Sequence, residues 1–407
     1  MMKSWKAKFF TIWTGQAFSL FGSSLVDFAL IWWLTETTGS QRVLTISSLL
    51  TLLPRMFLGP FAGTLIDRVN RKRVMILADG AIAFLTLGLL FAYHRNAMTV
   101  FLVMGALLLR SLGSMFHQPA MKSATALLVP ASQLARIGGL NRILSGAMSI
   151  VAPVAGAMVI ELFDIGAVLC IDVVTAAVAV ATLAAASVPD ASERGEQKKH
   201  TLFKETADGV RYVWNTKSVL FVVGTCTLAN FCIGPAESLK SLMITTVFHG
   251  GALELSWVTA ATGLGMIVGG VVMGIWGGCR RHLKTSAIGW GGVGIAYGMV
   301  AFLKPEGFLL LVLCMFVSGI FLAIGNAGLD AFYQTKIPKE YHGRVYSVLM
   351  TLDNMTVPLG LAVATVFSGL LPIRFWYLAT GLLHFCLFLF WSASRELKRA
   401  EERETGV

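Results

Sequence analysis

Twelve apolar runs, each close to twenty residues or longer, dominate this chain. They cover 9–34, 43–65, 74–93, 98–121, 139–162 and 165–187, then 218–247, 253–276, 285–303, 307–332, 345–369 and 373–392. An α-helix needs about 20 residues to cross roughly 30 Å of hydrocarbon, so each run reads as a membrane-spanning helix. Composition agrees, with 56% hydrophobic and 14% charged residues against roughly 45–50% and about 25% in soluble domains. The expected fold class is all-α: a polytopic membrane protein with twelve transmembrane helices in two six-helix bundles.

In a soluble chain a net charge of +11 would suggest nucleic acid. Here it fits the excess of Lys and Arg in cytoplasmic loops. With twelve spans and a cytoplasmic N-terminus, 25 of the 33 Lys and Arg fall in cytoplasmic segments. No nucleic-acid partner is therefore expected. The start, MMKSWKAKFF, has cations before an apolar run, but the run is of full spanning length with no small-residue cleavage site, so it reads as the first helix. Five of the six cysteines lie in apolar spans and Cys279 in a cytoplasmic loop. No disulfide framework or metal-type spacing follows.

One long polar stretch, PDASERGEQKKHTLFKETADGVRYVWNTK, splits the spans six and six. The expected organisation is a bundle at 1–187, a cytoplasmic linker at 188–217, a second bundle at 218–392 and a cytoplasmic tail at 393–407. Leu202, Phe203, Val210 and Val213 among the linker's charges suggest an interfacial amphipathic helix. The halves read as weak repeats: GIWGGCRRHLK at 274–284 aligns with GTLIDRVNRKR at 63–73, and IPKEYHGRV at 337–345 with VPASQLARI at 129–137. Parallel six-helix repeats around a central site are a transporter architecture, although a chance likeness of basic loops is the competing explanation.

GTLIDRVNRKR, between spans two and three, resembles the signature loop of the major facilitator superfamily. Gly63, Leu65, Asp67, Arg68, Arg71, Lys72 and Arg73 match that pattern, and Asn70 stands where the family has Gly. Asn substitutes best for Gly in a left-handed conformation, which is the expectation for Asn70. Gly278 takes the place of Asp67 in the second copy. The text around LLRSLGSMFHQPA, LLVP and EYHGRV is similar to the macrolide-efflux branch of drug–proton antiporters. The resemblance implies a conformational latch. The Asp67 carboxylate would meet the positive start of the eleventh helix, near Gly343 and Arg344, an attraction of about 0.3–1 kcal/mol and up to ~2 when partly buried. The competing reading pairs Asp67 with a neighbouring Arg.

Ionisable groups at membrane depth cost roughly 2.5–3.5 kcal/mol each on insertion scales and mark functional positions. Gln16, Ser19, Ser23 and Asp27 share about 80° of span one, and Arg110, Ser114 and His117 about 60° of span four. Arg55 lies mid-span in the second helix. Thr227, Asn230, Gly234, Glu237 and Ser241 share about 80° of span seven, where Pro235 offers a bend. Asp27 is the expected exchangeable proton site, adjusted by Arg110 or Arg55; a structural Asp27–Arg pair is the alternative. Asp172 reads as a packing hydrogen bond, Asp79 as structural, and Glu237 either pairs with Lys240 or faces substrate. RSLG at 110–113 matches the superfamily's fourth-helix pattern, whose Arg is implicated in proton transfer. In span five, Gly139, Pro153 and Gly156 partially match the family's antiporter motif, where small residues let helices approach closely.

No GxxxxGK[ST] or HExxH occurs, so neither P-loop ATP hydrolysis nor that type of zinc chemistry is expected. No metal, cofactor or enzymatic activity is expected. The reading is a monomeric secondary transporter in a bacterial inner membrane with both termini cytoplasmic. It would export amphipathic, macrolide-like small molecules in exchange for protons, with membrane lipids as its surroundings. A siderophore or lysolipid exporter or flippase, a proton-coupled uptake symporter and a membrane scaffold or sensor that has lost transport are the alternatives.

Overall fold

The computed structural model describes residues 2–66, 69–186 and 202–394. Residues 187–201, the tail from 395 and the pair Asp67 and Arg68 lie outside the described residues. The helices run in the order α1 Met2–Thr38, α2 Gln41–Ile66, α3 Arg71–His94, α4 Val100–Leu128, α5 Ala131–Leu162, α6 Ile165–Ala185 and α7 Leu202–Asn215. They continue with α8 Lys217–Ser238, α9 Lys240–Val247, α10 Ala252–Trp276, α11 His282–Ala301, α12 Phe308–Lys336, α13 His342–Val366 and α14 Ile373–Ala393. There is no strand among the described residues.

Eleven of these helices have the length and hydropathy of a membrane span. The twelfth long helix, α11, has 20 residues and packs against α12 and α14. Glycines lower its hydropathy but let it pack closely. A Cβ at Gly289 would fall on the backbone of Gly325, and one at Gly294 on that of Phe385.

The chain divides into two units, Met1–Gln197 with Gly251–Ser256 and Lys198–Gly250 with Trp257–Val407. Within the first, α1 packs on α5 and α6, and α3 on α4 and α6; within the second, α8 packs on α13 and α14, and α11 on α12 and α14. The two units thus repeat one pairing scheme, which extends the short sequence repeats to the level of whole helices.

Three details correct the sequence reading. Asn70 is not left-handed. It has φ −67° and ψ 112°, and its side-chain oxygen accepts the backbone N–H of Arg73 at 3.1 Å. It is the N-cap of α3, a role in which Asn's short acceptor satisfies an otherwise orphaned helix donor. The left-handed positions occur instead in the second copy of the loop, at Gly277 (φ 72°) and Gly278 (φ 83°), where a residue without Cβ is favoured. That turn gives a backbone reason for Gly at the position where the first loop has Asp67. Third, span seven is two helices: α8 contains Pro235 and ends at Ser238, and α9 starts at Lys240.

The linker helix α7 packs on α13 and α8. Val213 is buried in that unit's core, Tyr212 stacks on Tyr341 at 5.0 Å, and Asp208 pairs with Arg344 at 3.3 Å. Val210 and Trp214 stay exposed, the disposition of a helix lying at an interface.

Candidate functional site

The first unit carries its charge in two tiers. In the inner tier, Arg110 of α4 is only 4% exposed, and its partner Asp172 of α6 is fully buried. Arg110 Nη1 donates to Asp172 Oδ2 at 2.7 Å and to Thr86 Oγ1 of α3 at 2.6 Å, and Nη2 donates to the Ser23 carbonyl of α1 at 3.3 Å. Thr86 donates in turn to Asp172 Oδ2 at 2.8 Å, and Ser23 Oγ donates to Asp172 Oδ1 at 3.1 Å. Four helices are therefore tied to one buried ion pair. Such a pair tolerates burial only when its remaining donors and acceptors are satisfied, and those of Asp172 are.

The expected Asp27–Arg110 contact is present, but it is the weaker of two. Asp27 Oδ1 stands 3.5 Å from Arg110 Nε, an ion pair longer than that to Asp172, with the Asp27 side chain 63% exposed, and Nε forms no hydrogen bond within it. The principal partner of Arg110 is Asp172. The pairing is set by α6 crossing against α1 and α3, a geometry that the period of a single helix does not contain. Arg55, on α2, is exposed and forms no ion pair with Asp27 or Asp172.

The outer tier lies nearer the N-terminus of α1. Gln16 Nε2 donates to Asp79 Oδ2 of α3 at 2.9 Å, and His117 Nε2 of α4 is 3.4 Å from Asp79 Oδ1. Gln16, like Asp79, is buried, so it serves this carboxylate instead of lining open space. Thr86 is missing from the sequence reading, and Asp79 and Asp172 enter it as structural only; for Thr86 and Asp79 one signal is legible. Positions 16 and 23, 79 and 86, and 110 and 117 are each seven apart, about two helical turns or ~10.5 Å along each axis.

In the second unit, Glu237 accepts from Lys240 Nζ and from the Tyr297 hydroxyl, each at 2.6 Å. Lys240 is buried, whereas the Glu237 side chain is 41% exposed. The pair sits across the α8–α9 break, held by Tyr297, which stacks on Tyr377. Asn230 lines a separate cavity of about 80 Å³ with Thr227, Cys226, Trp290, Asn326 and Tyr333.

The remaining expected positions fall as follows. Gly156 of α5 faces α1, where a Cβ would meet Phe28 at 3.1 Å and Leu25 at 3.4 Å; Ala152 and Ala157 are fully buried and Pro153 lies inside the helix. A Cβ at Gly139 would meet nothing within 4 Å. Arg71 opens α3, Gly63 lies in the last turns of α2, and Gly343 and Arg344 lie in the first turn of α13. The six cysteines are free.

Long apolar helices that enclose hydrogen-bonded charges define a multi-pass membrane protein with polar machinery inside it. The family model for the Major Facilitator Superfamily matches residues 12–238 and 219–406, and the chain belongs to that superfamily of transporters. It is 31% identical over 398 residues to Macrolide efflux protein A of Streptococcus pyogenes, covering 98% of each chain. It is 30% identical to the Enterococcus faecalis protein of the same name over 79% of this chain and all of that one. Multidrug efflux pump Tap of Mycobacterium tuberculosis is 26% identical over 90% of this chain and 87% of its own. Among solved structures, a bacterial homologue of the iron transporter ferroportin in an inward-facing state shares the fold with a TM-score of 0.67 and 16% identity, covering 95% of this chain and 99% of that one. The nucleoside transporter NupG does so with 0.64 and 15% identity, over 99% of this chain and 100% of its own.

Proposed function

We propose that this chain exports amphipathic, macrolide-like small molecules in exchange for protons. Full-length similarity to proteins named for macrolide and multidrug efflux supports the substrate class. One observation supports proton exchange: the inner tier holds two acids and one base. Arg110 is committed to the fully buried Asp172 at 2.7 Å, which leaves Asp27 as the surplus acid, and Asp27 is the one with an exposed carboxylate. A bare carboxylate against hydrocarbon at this depth is costly, so Asp27 fits a water-filled path on its face of α1.

Protonation of Asp27 removes the surplus charge, and substrate arrival returns it as the proton leaves. One proton moving down about 150 mV supplies ~3.4 kcal/mol, enough for roughly a 300-fold gradient of a neutral substrate. Both termini are cytoplasmic in this reading, the membrane is a bacterial inner membrane, and the working unit is a monomer. The division into 1–187, 188–217, 218–392 and 393–407 belongs to the same proposal, as does a latch role for Asp67.

The test uses purified protein in proteoliposomes loaded with radiolabelled erythromycin, with and without an imposed pH gradient. Gradient-driven flux that Asp27→Asn abolishes is the expected result. Undiminished gradient-driven flux in Asp27→Asn would remove Asp27 from the mechanism, and wild-type flux indifferent to the gradient would remove proton exchange.

A further inference from the structure

The Gln16–Asp79–His117 cluster is the part of the charged column that the proposed exchange at Asp27 leaves unused. Three features set it apart from a packing contact. The imidazole Nε2 of His117 is buried and has no hydrogen-bond partner, yet it lies 3.4 Å from a carboxylate oxygen. The other oxygen of that carboxylate is fixed by the amide of Gln16 at 2.9 Å, so Asp79 Oδ1 is held in place toward the ring. Finally, the His117 side chain keeps 17% exposure while Asp79 keeps 5%, which gives the ring the more open access. At 3.4 Å the nitrogen and the carboxylate oxygen are an ion pair once the imidazole is protonated, and a small shift of the ring would close it to a charge-assisted hydrogen bond.

We propose that His117 and Asp79 form a second proton-holding site, one tier from the Arg110–Asp172 pair, loaded by a proton on His117 Nε2. The proposal rests on the proton-exchange reading above. The proton arrives from water, forms the Nε2–H bond facing Asp79 Oδ1, and leaves from the same atom. The charges around the pair favour this. From α1 it meets neutral Gln16. From α6, Asp172 lies in the other tier, already paired. Arg55 on α2 and Arg142 on α5 are exposed and not bonded to the pair. On α4 itself, Arg110 belongs to the other tier and Lys122 is exposed. The matched seven-residue spacing on α1, α3 and α4 aligns the two tiers about 10.5 Å apart along the helix axes, a distance a few waters bridge.

The test compares wild type, His117→Gln and Asp79→Asn in proteoliposomes, reading pH-gradient-driven accumulation of erythromycin and gradient-free counterflow of the same compound. His117→Gln keeps a neutral donor toward Asp79 and so preserves the contact without titration. Expected is counterflow close to wild type, with driven accumulation reduced about tenfold or more relative to wild type under the same pH gradient. Driven accumulation at wild-type level in His117→Gln overturns the site. Equal loss of counterflow and driven accumulation also overturns it, assigning the cluster to structure. Should Asp79→Asn fail to fold, a second readout decides: the carboxyl infrared difference band on acidifying wild type and His117→Gln in detergent. A pH midpoint shared by both proteins overturns the site, and a shifted one supports it. Wild-type counterflow without any gradient response is a different result, since it sinks the proton-exchange reading on which the site rests.

Discussion

Asp172 shows how much one buried carboxylate can carry. Its two oxygens accept from Arg110, Thr86 and Ser23, and it joins α6 to three other helices. Asp172→Asn leaves the Arg110 guanidinium buried without its counter-charge, and breaking such a pair typically costs about 3–5 kcal/mol. A clearly lowered unfolding temperature in detergent is expected. Asp27→Asn should leave that temperature near wild type, because Asp27 is 63% exposed and its ion pair with Arg110 is the longer one at 3.5 Å, and exposed pairs contribute about 0–1 kcal/mol. Equal destabilisation by the two substitutions would refute this ranking. Arg110→Lys should behave almost as badly as Asp172→Asn, since one ammonium cannot reproduce the guanidinium's planar, forked set of donors.

Among the elements, α7 and the two basic loops carry the most specific expectations. Gly209 sits against the backbone of Arg344, where an added Cβ would come within 2.6 Å of the carbonyl oxygen. Gly209→Leu should lift α7 from α13 and raise the rate of proteolytic cutting near 202–215. Asp208→Ala, by contrast, removes a half-exposed ion pair and should change stability by no more than about 1 kcal/mol. In the second loop, Gly278→Val forces a β-branched residue to φ 83°, a left-handed conformation costing roughly 1–2 kcal/mol. Thermal unfolding of the variant measures that cost.

At the scale of the molecule, the distribution of Lys and Arg sets orientation more than any single contact does. If both termini are cytoplasmic, a fluorescent reporter fused at the C-terminus folds and glows, while a periplasm-dependent phosphatase fused there is inactive. The opposite pattern would invert the topology. Expression in an efflux-deficient bacterial host should raise erythromycin tolerance, and an uncoupler should cancel the gain. Unchanged tolerance at verified expression levels would argue for another substrate.

The sequence alone determined the helices and the class of protein, because spanning hydrocarbon imposes a local rule that each apolar run obeys independently of the others. It also located most of the charged stripes, since a helix face depends only on a fixed angle per residue. Gln16, Asp27 and Arg110 were legible in that way. What only the tertiary structure decided was partnership. Arg110 hydrogen-bonds Asp172 and holds Asp27 only in a longer ion pair, Gln16 holds Asp79, Asn70 caps a helix, and α7 docks through Tyr212 and Asp208. Each of these depends on which helices cross and at what height. Partners 62 and 63 residues apart, such as Arg110 with Asp172 and Gln16 with Asp79, are joined by packing that no local period encodes.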